Sequence, residues 1–241
     1  MYEAVHAGSG DGHTVEALAS TAEAYGYEGV VVRSCEDGST GSLDDVAAAT
    51  GVDVVDGVEV RADDPARAGG AVGNVRSSHT VVAVRGGSPE MNRFAVGNDK
   101  VDVLTRPMTG SGDVNHVLAK EAAANGVRLE FNLSGVLRTN GGSRVRTIQG
   151  LQKLHEIVSY YDAPYVVSAD ADSRYRLRAP RELAALGEQL GLSGEWIERG
   201  LAEWGHLANK NRRVRSRSYV EPGVERRGPG ERTEGGEVDD A

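Results

Sequence analysis

The 241-residue chain is 39% hydrophobic but only 5% aromatic, and its formal net charge is −9, so its core has to be built from Val, Leu and Ala and its overall charge argues against a nucleic-acid partner. No run approaching the ~18 apolar residues of a membrane span is present, which excludes a transmembrane helix, and MYEAVHAGSG lacks the basic and apolar regions of a secretory signal. Cys35 is the only cysteine, so no intrachain disulfide can form and a reducing, cytoplasmic location is expected.

In chain order, YEAVHA leads to the helical pattern TVEALASTAEAYG, YEGVVVRS to LDDVAAATG, DVVDGVEV to DPARAGGAVGNVR, and HTVVAVRG to PEMNRFAVGN. VDVLTRP then leads to DVNHVLAKEAAANG, RLEFNLS to RVRTIQGLQKLHEIVSYY, and PYVVSAD to APRELAALGEQLG, making seven strand-then-helix units. Short Val-rich runs between helical patterns indicate parallel strands joined by crossovers. Thr14 is placed to cap the first helix and Pro180 suits a first turn. Gly26, Gly126 and Gly191 follow helical patterns as left-handed C-cap residues do. The spacing predicts a distorted TIM-like (β/α) barrel of about seven units, with a doubly wound open sheet as the alternative; the first strand lacks the Gly-rich turn of a dinucleotide fold.

A last helical stretch, SGEWIERGLAEWGHLANKNRR, starts from Ser193 as N-cap with Trp196 in its first turn. The barrel domain is set at residues 1–204 and a disordered charged C-terminal tail at residues 205–241, the part after Arg213 being rich in Gly, Pro and charge and without apolar periodicity. Its first part, Gly205 to Tyr219, holds Lys210, Arg212, Arg213, Arg215 and Arg217 and no acid. An RNA-contacting extension and a solvated segment are both open for it. The chain has only four lysines, Lys100, Lys120, Lys153 and Lys210, so Arg supplies nearly all its positive charge. Low Lys with high Asp, Ala and Gly fits a salt-rich cytoplasm, and GC-rich coding is the competing explanation.

In such a barrel the working face lies at the C-terminal ends of the strands. Those ends offer His6, then Arg33 and Cys35, Glu59 and Arg61, Arg85, Arg106, then Glu130 and Asn132 with Arg138 and Arg144 in the loop beyond. The seventh offers Asp170 and Asp172, followed by Arg174, Arg176 and Arg178. A multinuclear metal site needs several converging His and carboxylate ligands. Of the histidines only His6 lies near such an end; His79 starts its strand, His116 and His155 fall in helices, His13 in a loop and His206 near the tail. His6 with Glu59, Glu130 and Asp170 is a thin ligand set. Cys35 has no readable histidine partner, and Ser168 and Ser134 lack a nucleophile elbow. The arginines suit bidentate phosphate contact, against the alternative that they are salt-bridged to Glu59, Glu130, Asp170 and Asp172.

Three stretches resemble one family. VDVLTRP…DVNHVLAKEAAANGVRLEFNLSGVLR, from Val101 to Arg138, matches a D-x-L strand, an A-K-x-A helix and an E-x-N-L strand. PYVVSADADSRYRLRAPRELAALGEQLG, from Pro164 to Gly191, matches a strand ending in S-x-D-A followed by a basic stretch and R-x-P-x-D/E-L. GVEV, Gly57 to Val60, is the third. On these the chain resembles ribonuclease P protein component 3, the thirty-kilodalton RNase P protein subunit family, in an archaeal and halophilic form. The resemblance implies a barrel similar to that of the polymerase-and-histidinol-phosphatase phosphoesterases, whose H-x-H is absent here: His6 stands between Ala4 and Gly8, and Asp172 occupies the place of a final His. His6, Glu59 and Asp170 are then relics of a metal site, with no metal bound and no catalytic residue in the chain.

The resemblance further implies a protein subunit of the ribonucleoprotein that removes the 5′ leader from precursor tRNA. The RNA subunit would be the catalyst and would require Mg²⁺, and this chain would hold no tight cofactor. The partners implied are the RNase P RNA, a small ferredoxin-like protein subunit and other RNase P proteins, with precursor tRNA contacted indirectly and no membrane. Arg33, Arg85, Arg106, Lys120, Arg138, Arg144, Arg174, Arg176 and Arg178 are expected to contact RNA. A stand-alone metal-dependent phosphoesterase on the same barrel is the alternative.

Overall fold

The computed structural model describes residues 1–8, 10, 12–34, 42–216, 219–221 and 224–225; Cys35 lies outside them. Seven strands, β1 (Tyr2–Val5), β2 (Gly29–Ser34), β3 (Asp53–Val60), β4 (Val81–Arg85), β5 (Val103–Thr105), β6 (Arg128–Asn132) and β7 (Tyr165–Ser168), form one sheet in sequential order. Every neighbouring pair is parallel. The crossovers are α1 (Val15–Ala24), α2 (Leu43–Thr50), α3 (Pro65–Val75), α4 (Pro89–Val96), α5 (His116–Asn125) and the pair α6 (Ser134–Arg138) and α7 (Gly141–Tyr161). After β7 come α8 (Pro180–Gln189) and α9 (Gly194–Arg215). The seven expected units are all present, in a nearly closed barrel rather than an open sheet. Within these units only α6 was not foreseen, and it takes Arg138 out of a loop, while Arg144 sits in the first turn of α7. No helix of the described residues is long and apolar enough to cross a membrane.

The helix ends follow the capping logic. Thr14 Oγ1 accepts from the Ala17 N–H at 3.2 Å, and Ser193 Oγ from the Trp196 N–H at 3.1 Å. Gly26, Gly126 and Gly191 all have positive φ, the conformation that closes a helix with least strain when Cβ is absent.

A period of two sorts the strands. Val30, Val32, Val54, Val82, Val84, Leu129 and Phe131 face outward and pack under the helices, whereas Ala4, Val31, Val55, Ala83, Val103 and Val166 face inward. Between β1 and β7 the ladder is reduced to one bridge, Val5 to Ala171, with the His6 N–H donating to Ala171 O at 2.8 Å. Below that bridge a buried side chain takes the ladder's place: Glu3 Oε1 accepts from the Ala4 N–H at 3.1 Å and the Ala169 N–H at 2.9 Å. Tyr27 donates to its other oxygen at 3.4 Å and to Arg178 O at 2.8 Å.

Helix α9 covers this seam. A Cβ on Gly200 would come within 2.4 Å of Val167, and one on Gly205 within 2.5 Å of Tyr2, so glycine is what lets the helix approach. Between them Trp204 is fully buried against the inward-facing Val layer, and its Nε1–H donates to Val167 O at 2.9 Å. The end of α9 runs under the strand starts: Asn211 donates to Thr80 O and Asp102, and Arg212 is bidentate on Asp53 at 2.7 and 2.8 Å. This corrects the domain boundary. The helical stretch read through Arg213 runs to Arg215, so residues 205–215, which the boundary at 204 places in the tail, belong to α9, with Gly205, Leu207 and Ala208 buried. Beyond them, Tyr219–Glu221 and Val224–Glu225 pair antiparallel as β8 and β9, and the rest of the tail lies outside the described residues.

Candidate functional site

Continuing the inward-facing count in steps of two past the Val layer puts a polar side chain at the end of every strand. His6, Arg33, Glu59, Arg85, Thr105, Glu130, Ser168 and Asp170 follow in order around the mouth. The innermost is Arg33, wholly buried. Its two Nη groups donate to Glu130 Oε1 at 2.8 Å and Asp170 Oδ1 at 2.7 Å, with Glu59 Oε1 at 3.9 Å. Trp204 lies beneath, its ring centroid 5.7 Å from the guanidinium carbon.

The carboxylates are further satisfied. Glu130 accepts from Ser168 Oγ at 2.7 Å, from the Arg106 N–H at 3.0 Å and from Asn132 at 3.1 Å. Glu59 accepts from Thr105 Oγ1 at 2.7 Å and Arg61 Nε at 2.6 Å. Asp170 takes His6 Nε2 at 2.9 Å and the Arg106 guanidinium. The other ring nitrogen of His6 faces Arg33 O at 2.9 Å. Both partners of His6 are acceptors, so only the imidazolium donates to both.

Burial alone would neutralise these groups, and the charges around them overrule it. Burial lowers the proton affinity of Arg33, but Glu130, Asp170 and Glu59 together hold it above the usual range. Burial raises Glu59, and Arg33, His6 and the Thr105 hydrogen bond bring it down to about 2. Asp170 is likewise held well below the ordinary carboxylate range, burial being outweighed by the His6 hydrogen bond and by Arg33 and Arg106. Arg106 and Asp170 both carry positive φ, 50° and 55°, a strained setting for residues with a Cβ that the ion pair between them holds in place.

Arg33 therefore leaves the set of expected RNA contacts. It has no exposed surface, because three carboxylates converge on it from β3, β6 and the end of β7. These are the acids a metal would have used, and their oxygens are engaged by Arg33, Arg61, Arg106, His6 and neighbouring hydroxyl and amide donors. Among the described residues no group of three or more His, Cys, Asp or Glu is placed to hold a metal ion.

Above this layer opens a cleft of about 510 Å³ lined by His6, Arg61, Arg106, Arg138, Asp170, Asp172 and Arg176, with Ser134 and Thr139 at one wall. Arg138 donates to Asp170 O at 3.1 Å and Arg176 O at 3.5 Å. Arg176 pairs with Asp172 at 2.5 Å. The salt-bridge alternative thus holds for Arg61, Arg106 and Arg176, each of which nevertheless lines open space. Arg174, Arg176 and Arg178 do not lie along one extended edge, since the chain turns at 174–176. Arg174 is exposed beside the Tyr175 ring, and Arg178 folds onto the carbonyls of Tyr175 and Leu177.

Of the remaining expected contacts, Arg85 is half-buried at the end of β4 and has no side-chain partner among the described residues. Lys120 is exposed on α5, its ammonium 5.3 Å from the Tyr161 ring centre and away from the mouth cleft. Arg144 is exposed and donates to Thr139 O at 2.7 Å. Arg61 is the cleft arginine left out of the expected RNA set, although it stands two positions beyond Glu59 on the same strand face.

Set beside known proteins, residues 3–217 match the family described as RNase P subunit p30. The chain is 56% identical over 225 residues to the Ribonuclease P protein component 3 of Natronomonas pharaonis, covering 93% of this chain and 94% of that one. It is 53% identical over 234 residues to the protein of the same name from Halorubrum lacusprofundi, covering 94% and 97%. Both are halophilic archaea, in keeping with the Lys-poor, Asp-rich composition. Against the Methanosarcina mazei protein the identity is 36% over 189 residues, 78% of this chain and 79% of that one. The fold is similar to a chain in the cryo-EM structure of archaeal Ribonuclease P with mature tRNA, with a TM-score of 0.79 at 22% identity, covering 96% of this chain and all of that one.

Proposed function

The chain belongs to the RNase P subunit p30 family and acts as a protein subunit of ribonuclease P, and from that membership we propose that its barrel mouth faces RNA and steadies it by neutralising phosphates. The observation that carries this is the division of labour at the strand ends. Glu130 and Asp170 pair with the buried Arg33, while Arg61, Arg106, Arg138 and Arg176 line a cleft open to solvent. Cations outnumber carboxylates there on a protein of net charge −9, which is the electrostatic footprint of a phosphate ligand.

On this reading the RNA subunit performs the cleavage that frees precursor tRNA of its 5′ leader, and the Mg²⁺ requirement belongs to the RNA. This chain supplies no catalytic group and no tight cofactor. It works in the cytoplasm beside a small ferredoxin-like subunit and other RNase P proteins, touching precursor tRNA only indirectly. The test is reconstituted cleavage at high salt, with the cognate RNA and the other protein subunits, with and without this chain. Cleavage should rise with the chain present and fall about tenfold or more with Arg138→Ala/Arg176→Ala, the loss of two charge-assisted contacts. Metal-dependent phosphoester hydrolysis by the chain alone would overturn the reading.

A further inference from the structure

Beside the arginine cleft lies a second, of about 280 Å³, and Arg106 lines both. The second is walled by Pro107, Met108 and Leu151, with Glu130, Asn132, Thr147 and Arg146 among its polar groups. We propose that the two clefts together bind one unpaired nucleotide of RNA, its phosphate among Arg61, Arg106, Arg138 and Arg176 and its base in the apolar-walled cleft next to them. This rests on the reading that the mouth faces RNA and states what part of the RNA enters it.

Three observations carry it. The first is convergence. The four guanidiniums come from the ends of β3 and β5, from α6 and from the turn after β7, and meet around one space. Such a fork arrangement suits a single phosphate with several oxygens to hold. The second is the state of Arg138. Its hydrogen-bond partners are the carbonyls of Asp170 and Arg176, so it is positioned by the backbone and not neutralised by a direct carboxylate contact. Burial lowers its proton affinity, the Asp170 charge opposes that in part, and the neighbouring Arg176 charge adds to the lowering. An anion seated between the two offsets the repulsion between Arg138 and Arg176.

The third is the pairing of unlike clefts. Arg146 donates to Ser143 Oγ at 3.2 Å and meets no carboxylate among the described residues, leaving a planar cation at the rim of an apolar slot. Apolar walls with a guanidinium plane form a stacking site for a base. A strand within a duplex keeps its bases stacked and paired, and cannot put a phosphate and its own base into two adjoining clefts. An extruded or single-stranded nucleotide can.

The experiment titrates the full chain at high salt with four probes: inorganic phosphate, a nucleoside 5′-monophosphate, a single-stranded pentanucleotide and a blunt RNA duplex. The pentanucleotide should bind tightest, the mononucleotide and phosphate progressively weaker, and the duplex at least tenfold weaker than the pentanucleotide. Arg138→Ala should lose about tenfold or more on phosphate, mononucleotide and pentanucleotide. Arg138→Lys keeps the charge and the fold but loses the fork, and should lose most of the same affinity. Met108→Trp, which fills the second cleft, should weaken both nucleotides about fivefold or more and leave phosphate unchanged. A duplex bound as tightly as the single strand, with the same dependence on Arg138, would overturn this inference while leaving an RNA-facing mouth. A free mononucleotide bound more tightly than the pentanucleotide would also overturn it, by making the ligand a small molecule. RNA binding indifferent to Arg138 and Arg176 would instead remove the underlying reading. Thermal unfolding of each variant and an Arg67→Ala control on the exposed start of α3 guard against loss of fold.

Discussion

Arg33 is enclosed by Glu59, Glu130 and Asp170 and has no route to solvent. Removing one member of such a buried network leaves uncompensated charge and costs about 3–5 kcal/mol. Arg33→Met should therefore lower the urea midpoint strongly at neutral pH. The pH dependence makes the test specific. Glu59 is held at about 2 against an ordinary 4.5, so its contribution is fully present above 4.5 and is lost as pH falls toward 2. Asp170 acts in the same direction. Wild-type stability should drop across that window, and Arg33→Met should flatten the drop. Glu3 has the opposite sign. Burial pushes it up to about 8, so it costs nothing below 4.5 and progressively more as pH rises to 8, at ~1.4 kcal/mol per unit. Glu3→Gln keeps the acceptor that holds the Ala4 and Ala169 amides and can donate to the Tyr27 oxygen. It should stabilise the chain more at pH 9 than at pH 5, read as a difference in melting temperature.

Among the elements, α9 decides whether seven strands suffice. With β1 and β7 joined by one bridge, the barrel lacks the partner that an eighth strand would supply, and Trp204 with the flanking Gly200 and Gly205 fills that place. Trp204→Ala should cost about 3–5 kcal/mol, the range for an aromatic lost from a packed core. Ending the chain after Ser216 should leave the melting temperature unchanged, while ending it after Glu203 should abolish cooperative unfolding. Physical reasons explain what could be foreseen here. Val-rich strands and Gly-closed helices write their own signals locally, so all seven units and the Gly26, Gly126 and Gly191 ends were legible. Helix α9 was legible as a helix but its packing was not, because WGHLANKNRR looks solvated until the strand starts at Asp53, Thr80 and Asp102 are known to lie beneath it. The depth of the arginines was hidden for a similar reason. Arg33 and Arg85 both sit at strand ends, but only the three acids around Arg33 make it internal, and those come from distant strands. Counting in steps of two from Val31, Val55 and Val166 does find Arg33, Glu59, Arg61 and Asp170, but it reaches neither Arg106, one residue past Thr105, nor Arg138 on α6.

At the scale of the whole molecule, a body of net charge −9 and an arginine-lined cleft pull opposite ways on RNA. At low salt the acidic surface repels the phosphate backbone while the mouth attracts it. Near 1 M salt the Debye length is about 3 Å, so the long-range repulsion vanishes and direct contacts inside the cleft survive. The number of phosphates neutralised then sets the remaining salt dependence, at about −0.7 in log affinity per log salt for each phosphate of a single strand. If Arg61, Arg106, Arg138 and Arg176 grip one phosphate, the pentanucleotide should show a slope near −0.7 above 1 M KCl. If each meets its own phosphate, the slope should approach about −3. Anisotropy titrations across a KCl series measure this directly. Arg138→Ala separates the cases again: around one shared phosphate it weakens binding with little change of slope, whereas on a rail of phosphates it removes about one step of slope. A shallow slope is the physical condition for an acidic protein to hold RNA in concentrated salt, since contacts that depend on counterion release fade there and a shaped, bidentate seat does not.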